Sequence, residues 1–87
     1  MRTITPFSAV YGPIEEATGD HPPGDTALHD LVIPGFGSGD LAKFYLVECA
    51  SLDLRIELSD AECEDARTID QLVALLVRKL PWRGAVA

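Results

Sequence analysis

The pattern of apolar and polar residues is most regular at the C-terminal end of the chain. Ser59 is followed three residues later by Glu62. In such a capping box the hydroxyl accepts from the Glu62 amide while the carboxylate reaches back to the Ser59 amide. The pair predicts a short helix of roughly two turns after Ser59, ending near Arg67. Thr68 and Gln71 repeat the device at once. The helix they open carries Ile69, Leu72, Val73, Leu76 and Leu80 on one face, at the i, i+3, i+4 spacing of a packed helix. Arg78 and Lys79 fall in its last turn, at the negative end of the dipole, and Pro81 stops it.

Earlier segments carry mixed patterns. Asp40 is a good N-cap, and Leu41, Phe44, Val47 and Ala50 follow as an apolar stripe, predicting a central helix. The run from Leu52 to Leu58 then alternates apolar and charged residues with the period of a strand. No second alternating run of that length exists to pair with it. The run therefore reads as a helix end followed by an extended loop whose apolar residues plug the core. Near the N-terminus, Thr5-Pro6 resembles an N-cap with proline at the first helical position. Phe7, Val10, Tyr11, Ile14 and Ala17 keep helical spacing, but Gly12-Pro13 interrupts them and predicts a kinked or broken helix. Gly19 to Gly24 is rich in turn residues, and Asp30 to Gly39 reads as a mobile surface loop leading into Asp40.

Composition narrows the classes. With 87 residues the chain makes one domain, 1–87, with loosely packed ends expected at 1–4 and 83–87. Its formal charge of −7, from 14 acids against 7 bases, argues against nucleic acid or an anionic membrane and favours basic protein surfaces. Cys49 and Cys63 lack metal-ligand or redox spacing and read as small buried apolar side chains. No basic leader or run of transmembrane length is present, so a cytoplasmic protein is expected.

Four short segments carry a resemblance. Asp25-Thr26-Ala27-Leu28-His29-Asp30-Leu31 is similar to the pre-helix segment of acyl and peptidyl carrier proteins. Asp40-Leu41 with Phe44, Leu46, Val47 and Ala50 resembles the family's second helix. Ile56 to Glu62 looks like the junction before its short third helix, and Arg67-Thr68-Ile69 like the start of its last one. The match covers roughly Asp25 to Leu80, without a gap after Asp40. The resemblance implies an all-α fold, a small bundle of three main helices plus a short third helix.

It also implies a site. Asp40 stands where working carriers have the serine that takes 4'-phosphopantetheine through a phosphodiester. Such a residue opens a helix, where free amides and the dipole favour a phosphate. A carboxylate cannot form that bond, so no cofactor is expected, although it can imitate the charge. The resemblance thus implies a non-catalytic, non-carrying monomer that docks to fatty-acid, polyketide or peptide assembly enzymes. Leu41, Lys43, Tyr45, Glu62 and Asp65 are its expected docking residues, with Ala42 and Ser51 also on the exposed side of the second helix. The loop from Leu31 to Asp40 is longer than the family's turn. The acids gather at Glu57, Asp60, Glu62, Glu64 and Asp65 rather than on the second helix.

Other chemistry is weaker. Ser38, two residues before Asp40 and flanked by glycines, is an alternative attachment site for phosphopantetheine. The Gly35 to Asp40 segment lacks the third glycine of a dinucleotide fingerprint, the glycine spacing of a nucleophile elbow and the Gly-Lys-Ser/Thr of a phosphate loop. His21 and His29 read as solvated loop residues. A Ser38, His29 and Asp40 triad can be written down, but nothing in the sequence fixes its geometry. The acidic cluster lacks the spacing of a calcium loop and reads as a solvated face. Trp82 reads as a lid over the end of the bundle. An unrelated interaction or regulatory module remains the third reading, and would make Leu52 to Leu58 a true strand.

Overall fold

The structure, a computed structural model, describes residues 4–80. Most of the expected loose ends, the stop at Pro81 and the lid at Trp82 lie outside the described residues. Four α-helices follow in order: α1 (Pro6–Thr18), α2 (Asp40–Leu54), α3 (Asp60–Asp65) and α4 (Ile69–Lys79), with a 3₁₀ turn at Leu28–Asp30 before α2. The fold is a small all-α bundle. The described residues form no strand, only two isolated bridges, Ala27 with Thr68 and Ile33 with Gly37.

Both C-terminal helices start at their capping boxes. Ser59 Oγ accepts from the Glu62 amide at 3.2 Å, and Glu62 Oε1 accepts from the Ser59 amide at 2.9 Å. Thr68 Oγ1 accepts from the Gln71 amide at 3.2 Å, while Gln71 Oε1 takes the amides of Thr68 and Arg67. α3 ends at Asp65 because Ala66 leaves the helix and turns into the core, 3% exposed. Residues 24–28 lie against the start of α4: Leu28 N donates to Arg67 O at 2.8 Å, and Asp70 N to Gly24 O at 2.9 Å. A side chain at Gly24 would run into the Asp70 carboxylate, so the approach needs glycine there.

Two expectations about helices need correction. α1 runs unbroken through Gly12 and Pro13. A proline inside a helix typically costs about 3 kcal/mol. Residues on both sides of it are held in the core: Val10 and Ile14 are fully buried, and α1 packs against α2 and α4. Burying each such side chain contributes roughly 1.5–3 kcal/mol, enough to offset the proline. The helix begins at Thr5, as its Thr-Pro pair predicts, and Ser8 completes a further capping box.

The second correction concerns the register of α2. Val47 and Ala50 are buried as expected, but Leu41 and Phe44 are each 63% exposed. The buried face is instead Ala42, Lys43, Leu46, Val47, Ala50 and Leu54. Ala42 and Ala50 are both fully buried on this face, and α2 packs against α1. The helix ends at Leu54, and Arg55 takes the left-handed conformation (φ 56°) that closes it. Ile56 and Leu58 then follow in an irregular segment and pack on the edge of the core. The alternating run is therefore a helix end and a loop.

Candidate functional site

The site is built around the start of α2. Gly39, not Asp40, is the N-cap, with φ 78° and ψ −143°. Side chains are nearly excluded from that region of backbone space, so the turn into α2 depends on glycine. The Gly39 amide donates to His29 O at 2.9 Å, which ties the start of α2 to the 3₁₀ turn. Asp40 is consequently the first helical residue, and its side chain makes no capping bond. That carboxylate is 99% exposed and bonds to His29 Nε2 at 2.6 Å, which places a negative charge at the positive end of the helix. His29 is solvent-exposed, as expected, but it is held rather than free.

Ser38 stands beside this pair in an exposed position between two glycines of positive φ. The segment around it is anchored. Ile33 is 1% exposed, and it exchanges hydrogen bonds with Gly37 at 2.8 Å in both directions. Phe36 stacks on Tyr45 of α2 with ring centroids 4.5 Å apart. The expectation of a mobile loop therefore gives way to a closed turn pinned at Ile33 and Phe36. His29 and Asp40 come together, but no hydrogen bond among the described residues joins Ser38 to His29, so the written-down triad is not assembled.

A groove of about 960 Å³ extends from His29 and Asp40 along α2 to Arg55, with residues 56–64 as its opposite wall. The α2 side is roughly 22 Å long at 1.5 Å per residue. Val47 is buried at its base, and Ile56, Leu58 and Cys63 pack between it and the core. Phe44 and Leu52, the latter 70% exposed, stand at its lip. Glu48, Glu57, Asp60 and Glu64 surround it with exposed carboxylates.

The expected docking residues separate. Leu41 is on the surface, and Tyr45 is half-buried under Phe36. Lys43 is withdrawn to 9% exposure and lines the groove, while Ala42 is fully buried; neither faces a partner as the sequence reading expected. The cause is the α2 register, which turns both toward the bundle. Glu62 is occupied by its capping box and by Lys79 at 3.2 Å, and with Asp65 it borders a separate hollow against α4. Backbone hydrogen bonding at Ser59, reinforced by Lys79, holds the Glu62 carboxyl below the usual carboxylate range.

The cysteines are both free and only half-buried, less enclosed than expected. Burial pushes the Cys63 thiol up, and the Lys43 charge opposes that shift. His21 is also exposed, but its ring stacks on Tyr11 at 4.0 Å and bonds to Glu15, while the Tyr11 hydroxyl donates to Pro22 O at 2.7 Å. The described residues contain no group of three His, Cys, Asp or Glu side chains placed to hold a metal ion. None of their helices is long and apolar enough to cross a membrane.

Sequence reasoning missed the burial of Lys43 and the His29–Asp40 bond. Lys43 shares a helical face with Val47, Ala50 and Leu54 at intervals of four and three, a signal that was present but hidden by the other apolar residues of α2. The His29–Asp40 pair, separated by the long turn, had no local signal. No known protein family, curated protein or solved structure matches the chain.

Proposed function

We propose that this chain is a non-carrying, carrier-like docking domain of a fatty-acid, polyketide or peptide assembly pathway, acting as a cytoplasmic monomer without catalysis of its own. One observation carries the reading. Asp40, aligned by resemblance with the modified serine, is the first residue of α2 and presents a wholly exposed carboxylate at the end of the groove. A partner that recognises a negative charge at this helix start would find one without a covalent arm. The exposed apolar side chains of Leu41 and Phe44 beside it extend the surface available for docking.

The reading is tested by restoring the hydroxyl. Asp40→Ser, incubated with coenzyme A and a broad phosphopantetheinyl transferase, is expected to gain the mass of one arm. The exposed Ser38 supports the alternative of a working carrier loaded two residues earlier. In that case the wild-type chain would gain the arm and Ser38→Ala would not. The docking reading expects no gain in either.

A further inference from the structure

One side of α1 carries an aromatic stack that none of the chemistry at Asp40 uses. The His21 ring lies on Tyr11 with centroids 4.0 Å apart and planes 10° from parallel. Phe7 leans on both, 4.6 Å from Tyr11 and 5.8 Å from His21. Tyr11 is buried beneath them, and its hydroxyl donates to Pro22 O at 2.7 Å. That bond fixes the turn carrying His21, so the stack is formed before any partner arrives. Phe7 is 51% exposed and the His21 side chain 54%. One face of the imidazole is laid on Tyr11, so the surface it offers to solvent is its other face and its edge. None of the three residues lines the groove.

The charge around this stack has one sign. From Ile4 to Ala42 the acids are Glu15, Glu16, Asp20, Asp25, Asp30 and Asp40, and no lysine or arginine occurs. Glu15 meets His21 through Oε2, and no hydrogen bond among the described residues holds its other oxygen. Burial pushes the Tyr11 phenol up, and the charges of Asp70, Glu15 and Asp25 push the same way with no cation offsetting them. A negative field thus reaches the rings from α1, from the turn after it and from the start of α4. Ring faces in such a field attract a cation. Guanidinium suits the place better than ammonium, because it is planar, stacks flat on a ring and forks onto a carboxylate at the edge. We propose that Phe7, His21 and Glu15 form a docking face for an arginine side chain of a basic partner segment. The guanidinium lies on the open face of His21 beside Phe7 and bonds to the free oxygen of Glu15. This face is separate from the groove, so it holds or fails independently of docking at Asp40.

The probe is the blocked peptide Gly-Gly-Arg-Gly-Arg-Gly-Gly, titrated at low salt into the isotope-labelled full chain while amide and aromatic shifts are followed. The titration is run at about pH 8, where imidazole in water is neutral. Peptides with lysine or citrulline in place of arginine are run in parallel. Saturable binding is expected, with shifts centred on Phe7, Tyr11, Glu15 and His21. The arginine peptide should bind more tightly than the lysine peptide, and the uncharged citrulline peptide most weakly. His21→Ala and Glu15→Gln should each weaken the arginine peptide by about two- to fivefold, the size of one exposed cation–π contact or ion pair. Glu15→Gln keeps the side chain's size at an exposed position, so a loss there does not come from misfolding. Glu64→Gln removes the same charge beside the groove and should leave affinity nearly unchanged. Equal affinity for arginine and lysine, shifts centred elsewhere, or unchanged affinity in Glu15→Gln or His21→Ala would overturn the proposal. So would an equal loss in Glu64→Gln, because net charge alone would then attract the peptide.

Discussion

α2 and α4 both pack against α1, yet they use their apolar residues differently. α4 buries Ile69, Leu72, Leu75 and Leu76 and turns Asp70, Gln71, Ala74 and Arg78 to solvent. Most of its apolar surface is spent on the core, with Val77 the large apolar side chain left exposed, at 39%. α2 buries Leu46, Val47, Ala50 and Leu54, and still leaves Leu41, Phe44 and Leu52 in water. Their starts differ as well: α4 opens on a reciprocal side-chain cap, α2 on a glycine in a backbone region that other residues avoid. A helix with one apolar face holds a bundle together. A helix with two has surface left over, and on α2 that surface borders the groove and Asp40.

The largest expected effect tests which face of α2 is inside. Leu46→Ala should lower stability by about 2–5 kcal/mol, as for other buried leucines. Phe44→Ala and Leu41→Ala should stay within about 0.5 kcal/mol of wild type in urea unfolding, as surface changes do. Comparable losses at Phe44 and Leu46 would put the exposed face in the core and remove the contrast with α4.

The same contrast explains what could be read from sequence. α4 and α3 were legible because caps and a single stripe agree, each signal local and redundant. The start of α1 was legible from Thr5-Pro6, but its continuity was not, since long-range burial of Val10 and Ile14 outweighs the local effect of Pro13. The α2 register was not legible because apolar residues surround the helix and period alone does not choose a face. The choice is made by packing with the rest of the bundle, which buries Ala42, Leu46 and Ala50 and leaves Leu41 and Phe44 outside. The site shares that ambiguity: Asp40 falls at the helix start as the pattern predicts, whereas Lys43 lies on the buried side and not the exposed one.

The helix starts provide the next two tests. Gly39→Ala should cost about 1–3 kcal/mol, because it forces a Cβ into a glycine-only conformation. Thr68→Ala should cost about 1 kcal/mol by removing the α4 cap. Thermal or urea unfolding measures both. A neutral Gly39→Ala would mean that α2 starts elsewhere, and the placement of Asp40 would go with it.

The smallest effect is at α3. The Glu62 carboxyl is held below the usual carboxylate range by the Ser59 amide and then by Lys79. Its folded-state pKa lies below the unfolded one, so its stabilisation is present above the carboxylate range and is lost as pH falls through the folded value. Glu62→Gln, which can keep the capping box, should therefore be slightly less stable than wild type at neutral pH. The two curves should converge on acidification. A gap that persists in acid would assign the effect to packing instead of charge.

The most direct test of the central claim, that Asp40 stands at a carrier's attachment position, is the intact mass of Asp40→Ser after treatment with coenzyme A and a broad phosphopantetheinyl transferase. The account predicts one added arm on that variant and none on wild type. An unmodified Asp40→Ser, under conditions that load an ordinary carrier protein, would contradict it.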